Sequence, residues 1–90
     1  MAHAVVVQVK IEPDSDVAHR HAILNNNVVP EVRALPGFQN ASWMNDGLGT
    51  GICVVTFDTE RNAEAAVASL TPPGGPAVIA SGVYQVEIEA

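Results

Sequence analysis

The side chains of this chain that could take part in chemistry occur singly rather than in clusters. Two of them could contact a small molecule, namely Asn40 and Trp43. An indole ring can stack on a flat ligand, and an amide can donate a hydrogen bond to an oxyanion that develops during a reaction. The simpler interpretation is that Trp43 packs at a dimer surface, because aromatic side chains are enriched in interfaces, and that Asn40 faces water. The residue types therefore suggest a site for a flat molecule without specifying a reaction.

The spacing of the histidines argues against a metal site. His19 and His21 are two residues apart, which on a helix separates their side chains by about 200°, whereas paired metal ligands are usually four residues apart. His21 falls on the apolar stripe of a predicted helix and is a candidate general base near neutral pH. A half-buried histidine that only hydrogen-bonds a neighbour is the more common situation. We expect no metal and no organic cofactor.

Composition restricts the class of partner. Ninety residues suffice for one small domain, spanning residues 1–90. Ten acidic and four basic residues give a net charge of −6, which repels nucleic acid and anionic membranes. A single cysteine, Cys53, lies in an apolar run, which favours a buried, unreactive thiol in a reducing compartment. No stretch has the length of a membrane span or the basic start of a signal peptide. We expect a cytoplasmic protein that binds neither nucleic acid nor membranes.

Four stretches have the composition and alternation of β-strands. They are residues 4–12, 38–45, 50–58 and 83–88. Asp46-Gly47-Leu48-Gly49 separates the second from the third, and its glycines can supply the positive φ values of a tight turn. We therefore predict that these two strands form an antiparallel hairpin.

Two stretches have the apolar spacing of helices. The first begins after a cap at Asp14 or Ser15, and its stripe consists of Val17, His21, Leu24 and Val28. We expect it to end near residues 25–27, with a separate turn at 31–35, because Pro30 suits the first turn of a new helical piece. The second helix follows a cap at Thr59, presents a stripe of small residues, and ends before the proline-rich and glycine-rich loop at 71–76.

The order β-α-β-β-α-β predicts a ferredoxin-like α+β sandwich, in which a four-stranded antiparallel sheet carries both helices on one face. The strands, however, are apolar on both faces. In the third strand Ile52 and Val54 alternate with an equally apolar set, and in the first strand Val6 lies opposite two further valines. Two helices can cover only one face. We therefore predict a homodimer that forms through the other face, with Val6, Ile52 and Val54 in the interface.

The segment Leu35-Pro36-Gly37-Phe38, followed by the hairpin and by the run from Val55 to Ala65, resembles the dimeric α+β barrel superfamily. This superfamily includes the antibiotic biosynthesis monooxygenases and small haem-degrading enzymes. The resemblance covers residues 4–89 in outline. It implies a homodimer whose two sheets close into a barrel, with a pocket between the sheet and the helices of each subunit.

The resemblance also bears on activity. Haem-degrading members use an axial histidine from the second helix region, and residues 60–76 contain no histidine, which disfavours haem degradation. Monooxygenase members that need no cofactor act on aromatic molecules with Asn, Trp, Tyr and Arg side chains in the pocket. Asn40, Trp43 and Tyr84 are the matching residue types in this chain.

Two functions stay open, and RNA binding is excluded. Residues 50–57 resemble the octamer of an RNA-recognition motif, but Ile52 and Val54 occupy the positions of the base-stacking aromatics. The favoured hypothesis is a homodimeric, non-catalytic binding or interaction module, because no pair of titratable residues has a spacing that requires catalysis. The alternative is a cofactor-independent monooxygenase-like or isomerase-like enzyme acting on a small aromatic or polyketide-like molecule, with Asn40, Trp43, Tyr84 and His21 in its pocket.

Overall fold

An antiparallel sheet of four strands organises the chain in a computed structural model, which describes residues 1–12, 16–71 and 76–90. The strands are His3–Lys10 (β1), Phe38–Asn45 (β2), Thr50–Phe57 (β3) and Val78–Gln85 (β4). Their order across the sheet is β2-β3-β1-β4, and every neighbouring pair is antiparallel. This order places β2 and β4 at the two edges of the sheet.

The first helical segment is longer than the sequence indicated. Helix α1, Val17–Ile23, continues through one π-helical turn, Leu24–Val28, into helix α2, Val29–Arg33. The amide of Val29 donates to the carbonyl of Leu24, five residues earlier. The predicted helix end at residues 25–27 and the separate turn at 31–35 are therefore wrong. Pro30 removes one amide donor and crowds the preceding turn, and the wider π turn accommodates it without ending the helix.

The first helical segment begins at a capping side chain, that of Asp16. The Oδ1 atom of Asp16 accepts hydrogen bonds from the amides of Ala18 and His19, at 2.9 Å and 3.3 Å. The cap is thus Asp16 rather than Asp14 or Ser15, and residues 13–15 lie outside the described part of the chain.

Helix α3, Glu60–Leu70, begins as the sequence predicts. Its cap is Thr59, whose Oγ1 atom accepts from the amide of Asn62 at 3.2 Å. Most of the predicted loop at 71–76 lies outside the described residues, because the structure describes only Thr71 and Pro76 of it. Within the described part of the chain, every helix is too short or too polar to cross a bilayer.

The hydrophobic core lies between the sheet and the helices. It contains two valines of β1, two residues of β3, one residue of α2 and two alanines of α3: Val5, Val7, Val55, Phe57, Val32, Ala63 and Ala66. Since α2 and α3 contribute to the same core, they cover the same face of the sheet. The predicted ferredoxin-like fold is confirmed.

The opposite face of the sheet, here called the open face, is covered by no helix of the described residues. Val6 pairs with Val54 across β1 and β3, and Ile52 lies on the same face beside Gln8. All three predicted interface residues, Val6, Ile52 and Val54, are half-buried there. Their role in a dimer stays a prediction.

The outer strands differ in extent from the prediction. β1 ends at Lys10 rather than Glu12, and β4 spans Val78–Gln85 rather than 83–88. β4 pairs with β1 from Val78 to Gln85, where Gln85 meets His3 at the beginning of β1. Because β1 begins at His3, residues after Gln85 lie beyond the end of β1. One further hydrogen bond joins the amide of Val86 to the carbonyl of Ala2, at 2.9 Å.

The predicted hairpin between β2 and β3 is confirmed. The Oδ1 atom of Asp46 accepts from the amides of Leu48 and Thr50, at 2.7 Å and 3.0 Å. Gly47 and Gly49 have φ values of 74° and 101°, which other residues adopt only at a steric cost. The turn is therefore held by one carboxylate and by two glycines.

Candidate small-molecule site

A cleft of about 370 Å³ lies between α2 and the edge strand β2. Its volume falls near the lower end of the range of about 300–1,000 Å³ that is usual for small-molecule sites. Its walls combine apolar side chains with two amides and one guanidinium: Val29, Val32, Arg33, Phe38, Gln39, Asn40, Ala41 and Trp43. Polar and apolar surface contribute about equally to this lining, so the cleft offers both an apolar wall and polar groups that could orient a small molecule.

The path of the first helical segment creates one wall of the cleft. Because the π turn carries the helix on to Arg33, α2 passes over the edge of the sheet instead of ending before it. Val32 of α2 is buried in the core and fixes the helix there. Val29 and Arg33 are four residues apart on α2 and so share one side of that helix.

Strand β2 supplies the other wall, and a bulge shapes it. Phe38 pairs with Phe57 and Asn40 with Thr56, which leaves Gln39 without a partner on β3. An extra residue in one strand bends it and changes the direction of its side chains. The pairing register assigns the side chain of Asn40 to the open face, although Asn40 is among the residues that line the cleft.

Trp43 is one of the two aromatic residues, with Phe38, among those that line the cleft. It is half-buried, packs against the core and pairs with Cys53 on the face that the helices cover. It is also the only tryptophan of the chain. Of the two interpretations given to Trp43 by sequence, a stacking residue in a pocket and a packing residue at a dimer surface, its position in the cleft favours the first.

The remaining candidates are not gathered at one place. Tyr84 lies on the open face, where it pairs with Ala4 and its ring lies against Gly82, and it is 60% exposed. His21 is exposed on α1 and does not line the cleft. Asn40 and Trp43 are both among the residues that line the cleft, but the pairing register places their side chains on opposite faces of the sheet, and Tyr84 and His21 do not line the cleft.

Arg33 is the cleft residue that sequence reasoning missed. It is the only ionisable residue among those lining the cleft, and its guanidinium makes no hydrogen bond or ion pair with any described residue. The one feature of the sequence that could have drawn attention to Arg33 is the small number of basic residues, of which Arg33 is one of four.

Two titratable groups of the described chain have shifted pKa values, and neither lines the cleft. Burial raises the pKa of the Cys53 thiol to about 11, so the thiol stays protonated at neutral pH and is a poor nucleophile. Hydrogen bonds from the amides of Leu48 and Thr50 lower the pKa of Asp46 in the hairpin. Among the residues described, no group of three or more His, Cys, Asp or Glu side chains is arranged to hold a metal ion.

Solved structures of other proteins share this fold. Rv0793 from Mycobacterium tuberculosis has a TM-score of 0.62 at 19% identity, over 100% of this chain and 99% of that one. The fold is confirmed as the one that the sequence resemblance implied. A monooxygenase from the gene ActVA-Orf6 of Streptomyces coelicolor, in complex with the ligand nanaomycin D, has a TM-score of 0.54 at 20% identity, over 99% of this chain and 89% of that one. Identities this low establish a common fold and not a common activity.

The sequence itself gives no further match. It fits no protein-family model, and no curated protein is significantly similar to it. Function must therefore be argued from the cleft and from the open face.

Proposed function

We propose that the protein is a homodimeric binding module that takes a small, flat aromatic molecule into the cleft between α2 and β2. The observation that carries this proposal is the position of Trp43, half-buried in the wall of a cleft of about 370 Å³. An indole in such a place offers a flat apolar surface on which an aromatic ring can stack. Val29 and Val32 on the helix side would exclude water from the other face of the ligand.

The chemistry of the lining favours binding over catalysis. Of the described residues that line the cleft, only Arg33 is ionisable. A guanidinium stays protonated at every physiological pH, so it does not exchange protons as a general acid or base must. His21, the candidate base, lies outside the cleft and is exposed.

The open face supports a homodimer. Val6, Ile52 and Val54 form its centre, while Met44 and Tyr84 beside them are 49% and 60% exposed. An apolar surface of this kind is more stable when a second copy covers it. The unpaired, half-buried thiol of Cys53 fits a reducing compartment, and we propose the cytoplasm.

The binding proposal can be tested by titrating the protein with flat aromatic compounds of two or three fused rings. Trp43 fluorescence reports on the cleft directly, because the chain has no other tryptophan, and NMR shift changes would locate the ligand. Trp43→Leu, which has no tryptophan and is therefore followed by NMR shift changes, should show no saturable binding. Tyr84→Leu, on the open face, is the matched control and should bind as the wild type does. Shift changes centred on Tyr84, or no saturable binding at all, would contradict the proposal.

A second candidate function is oxidation of the bound aromatic molecule by O2 without a cofactor, with the substrate itself as the electron donor. Two observations favour it: the fold is shared with a monooxygenase, and Asn40, which carries an amide of the kind that can donate to an oxyanion, is among the residues that line the cleft. Oxygen uptake with a ligand that binds saturably, lost in Asn40→Ala, would establish the enzyme. Saturable binding without oxygen uptake would support the binding module.

A further inference from the structure

The charge of the cleft is opposite to the charge of the whole chain. The protein has a net charge of −6 and only four basic residues, yet one of the four, Arg33, is the sole ionisable side chain among the described residues that line the cleft. No described residue accepts a hydrogen bond from it or neutralises it. A guanidinium offers five donors in a fixed plane, and two of them match the two oxygens of a carboxylate.

We propose that the ligand of the cleft is an aromatic carboxylate, whose ring stacks on Trp43 while its carboxylate pairs with Arg33. This inference rests on the proposed function and adds the charge of the ligand to it.

The geometry of the cleft separates an apolar part from a charged part. Val32 is buried, and Trp43 and Phe38 are half-buried, so the ring would lie on this side. Arg33 is exposed at the last position of α2, so the carboxylate would lie at the mouth of the cleft and keep part of its hydration. Such a placement avoids the large penalty of transferring a charge into the protein interior.

A second polar side chain of the cleft fits the same orientation. Gln39 lies at the bulge of β2, lines the cleft and is exposed, and its amide can donate to a ligand oxygen that Arg33 does not reach. A neutral aromatic molecule would leave the guanidinium with water as its only partner. Such a neutral ligand would be stabilised by stacking on Trp43 alone.

The test compares two probes of equal shape, 2-naphthoate and its neutral counterpart 2-naphthamide, by titration of the full chain at low salt. We expect 2-naphthoate to bind about five-fold more tightly, the upper end for an ion pair that solvent still reaches. The preference should shrink as salt rises through the range in which exposed charges are screened. Binding of 2-naphthamide should hardly change with salt.

Variants assign the preference to one side chain. Arg33→Gln should remove the preference for 2-naphthoate while leaving the affinity for 2-naphthamide nearly unchanged. Arg33→Lys keeps the charge but not the planar fork and should retain only part of the preference. Arg61→Gln is the matched control, because it removes the same charge from an exposed position on α3 outside the cleft. It should behave as the wild type does.

The possible outcomes separate this inference from the proposed function. Equal binding of both probes to the wild type, or a preference that survives in Arg33→Gln, would overturn the inference and leave the aromatic site intact. An equal loss of preference in Arg61→Gln would also overturn it, since the effect would then come from net charge. Failure of both probes to bind at Trp43 would refute the proposed function together with the inference.

Discussion

The open face of the sheet predicts how the protein responds to a single added charge. Val54 lies at its centre, on β3, where it pairs with Val6 on one side and with Ser42 on the other. In a free subunit its side chain is only half-buried, so Val54→Asp can keep the new carboxylate hydrated. In a dimer formed through the open face, the same carboxylate would lose its water.

The size of the effect follows from the dimensions of the sheet. Each strand has eight residues, which gives a length of about 26 Å at about 3.3 Å per residue, and four strands spaced about 4.8 Å apart give a width of about 19 Å. The open face therefore measures about 500 Å². Two copies would bury about 1,000 Å² in total, close to the lower limit for a specific interface.

An interface of this size stabilises the dimer only modestly, so a small free-energy cost in the contact can dissociate it. Val54→Asp places one carboxylate from each copy in the contact, and each unpaired ion that leaves water costs several kcal/mol. A total above about 5 kcal/mol would weaken the dimer by more than about 10³-fold. Folding of the subunit should lose no more than about 1 kcal/mol, the usual range of strand preferences.

The assay is light scattering over a dilution series, with thermal melting followed by circular dichroism. We expect wild-type protein to have about twice the mass of the 9.4 kDa chain, and Val54→Asp to be a folded monomer. Leu48→Asp is the control, because it adds the same charge at a side chain that is 89% exposed in the hairpin. A wild type that stays monomeric at every concentration, or a Val54→Asp variant that stays dimeric, would refute the reasoning.

Two further predictions concern the stability of the subunit. Gly37 and Gly47 have nearly equal φ values of 78° and 74°, but a Cβ at Gly37 would collide with the side chain of Asp58, whereas a Cβ at Gly47 would meet nothing. Gly47→Ala should therefore lose about 1 kcal/mol of unfolding free energy and Gly37→Ala at least about 2 kcal/mol in urea denaturation; equal losses would show that the contact with Asp58 is unimportant. The second prediction uses Cys53, whose thiol pKa burial raises from its usual 9.0 to about 11. Between these pH values the unfolded chain releases the thiol proton while the folded chain retains it, so stability falls as pH rises, by at most about 2 kcal/mol for a half-buried group. The fall should be smaller in Cys53→Ala, and parallel pH profiles of the two proteins would argue against a buried, neutral thiol.

The fold could be predicted because the local signals agree with one another. The β-branched strands, the hairpin glycines and the cap at Thr59 each indicate an element, and the structure contains all of them, although β1 and β4 differ in extent from the prediction. The extent of the first helical segment was harder to predict, because three asparagines and Pro30 locally favour the end of a helix. Packing of Val28 and Val32 against the core outweighs that preference, and no single stretch of sequence shows such packing.

The same difficulty explains why the cleft was only partly predicted. Trp43 could be singled out by residue type alone, since stacking is a property of the side chain. Arg33 could not, because a separate turn at 31–35 and a continuous helix orient residue 33 differently. The separation of Tyr84 from Trp43 depends on the register of β4 against β1, which is set by pairing between distant residues.

The cleft and the open face lie on opposite sides of the sheet, which bears on whether binding depends on assembly. Trp43 pairs with Cys53 on the helix side, and Val54, the next residue along β3, points to the open face. Among the residues that the structure describes, all those that line the cleft belong to α2 or β2 of one chain. A monomeric Val54→Asp variant should therefore still bind an aromatic carboxylate with an affinity within about two-fold of the wild type, since no cleft residue is changed. A large loss of affinity in this variant, measured by Trp43 fluorescence, would mean that the second copy completes the cleft and that the site belongs to the dimer.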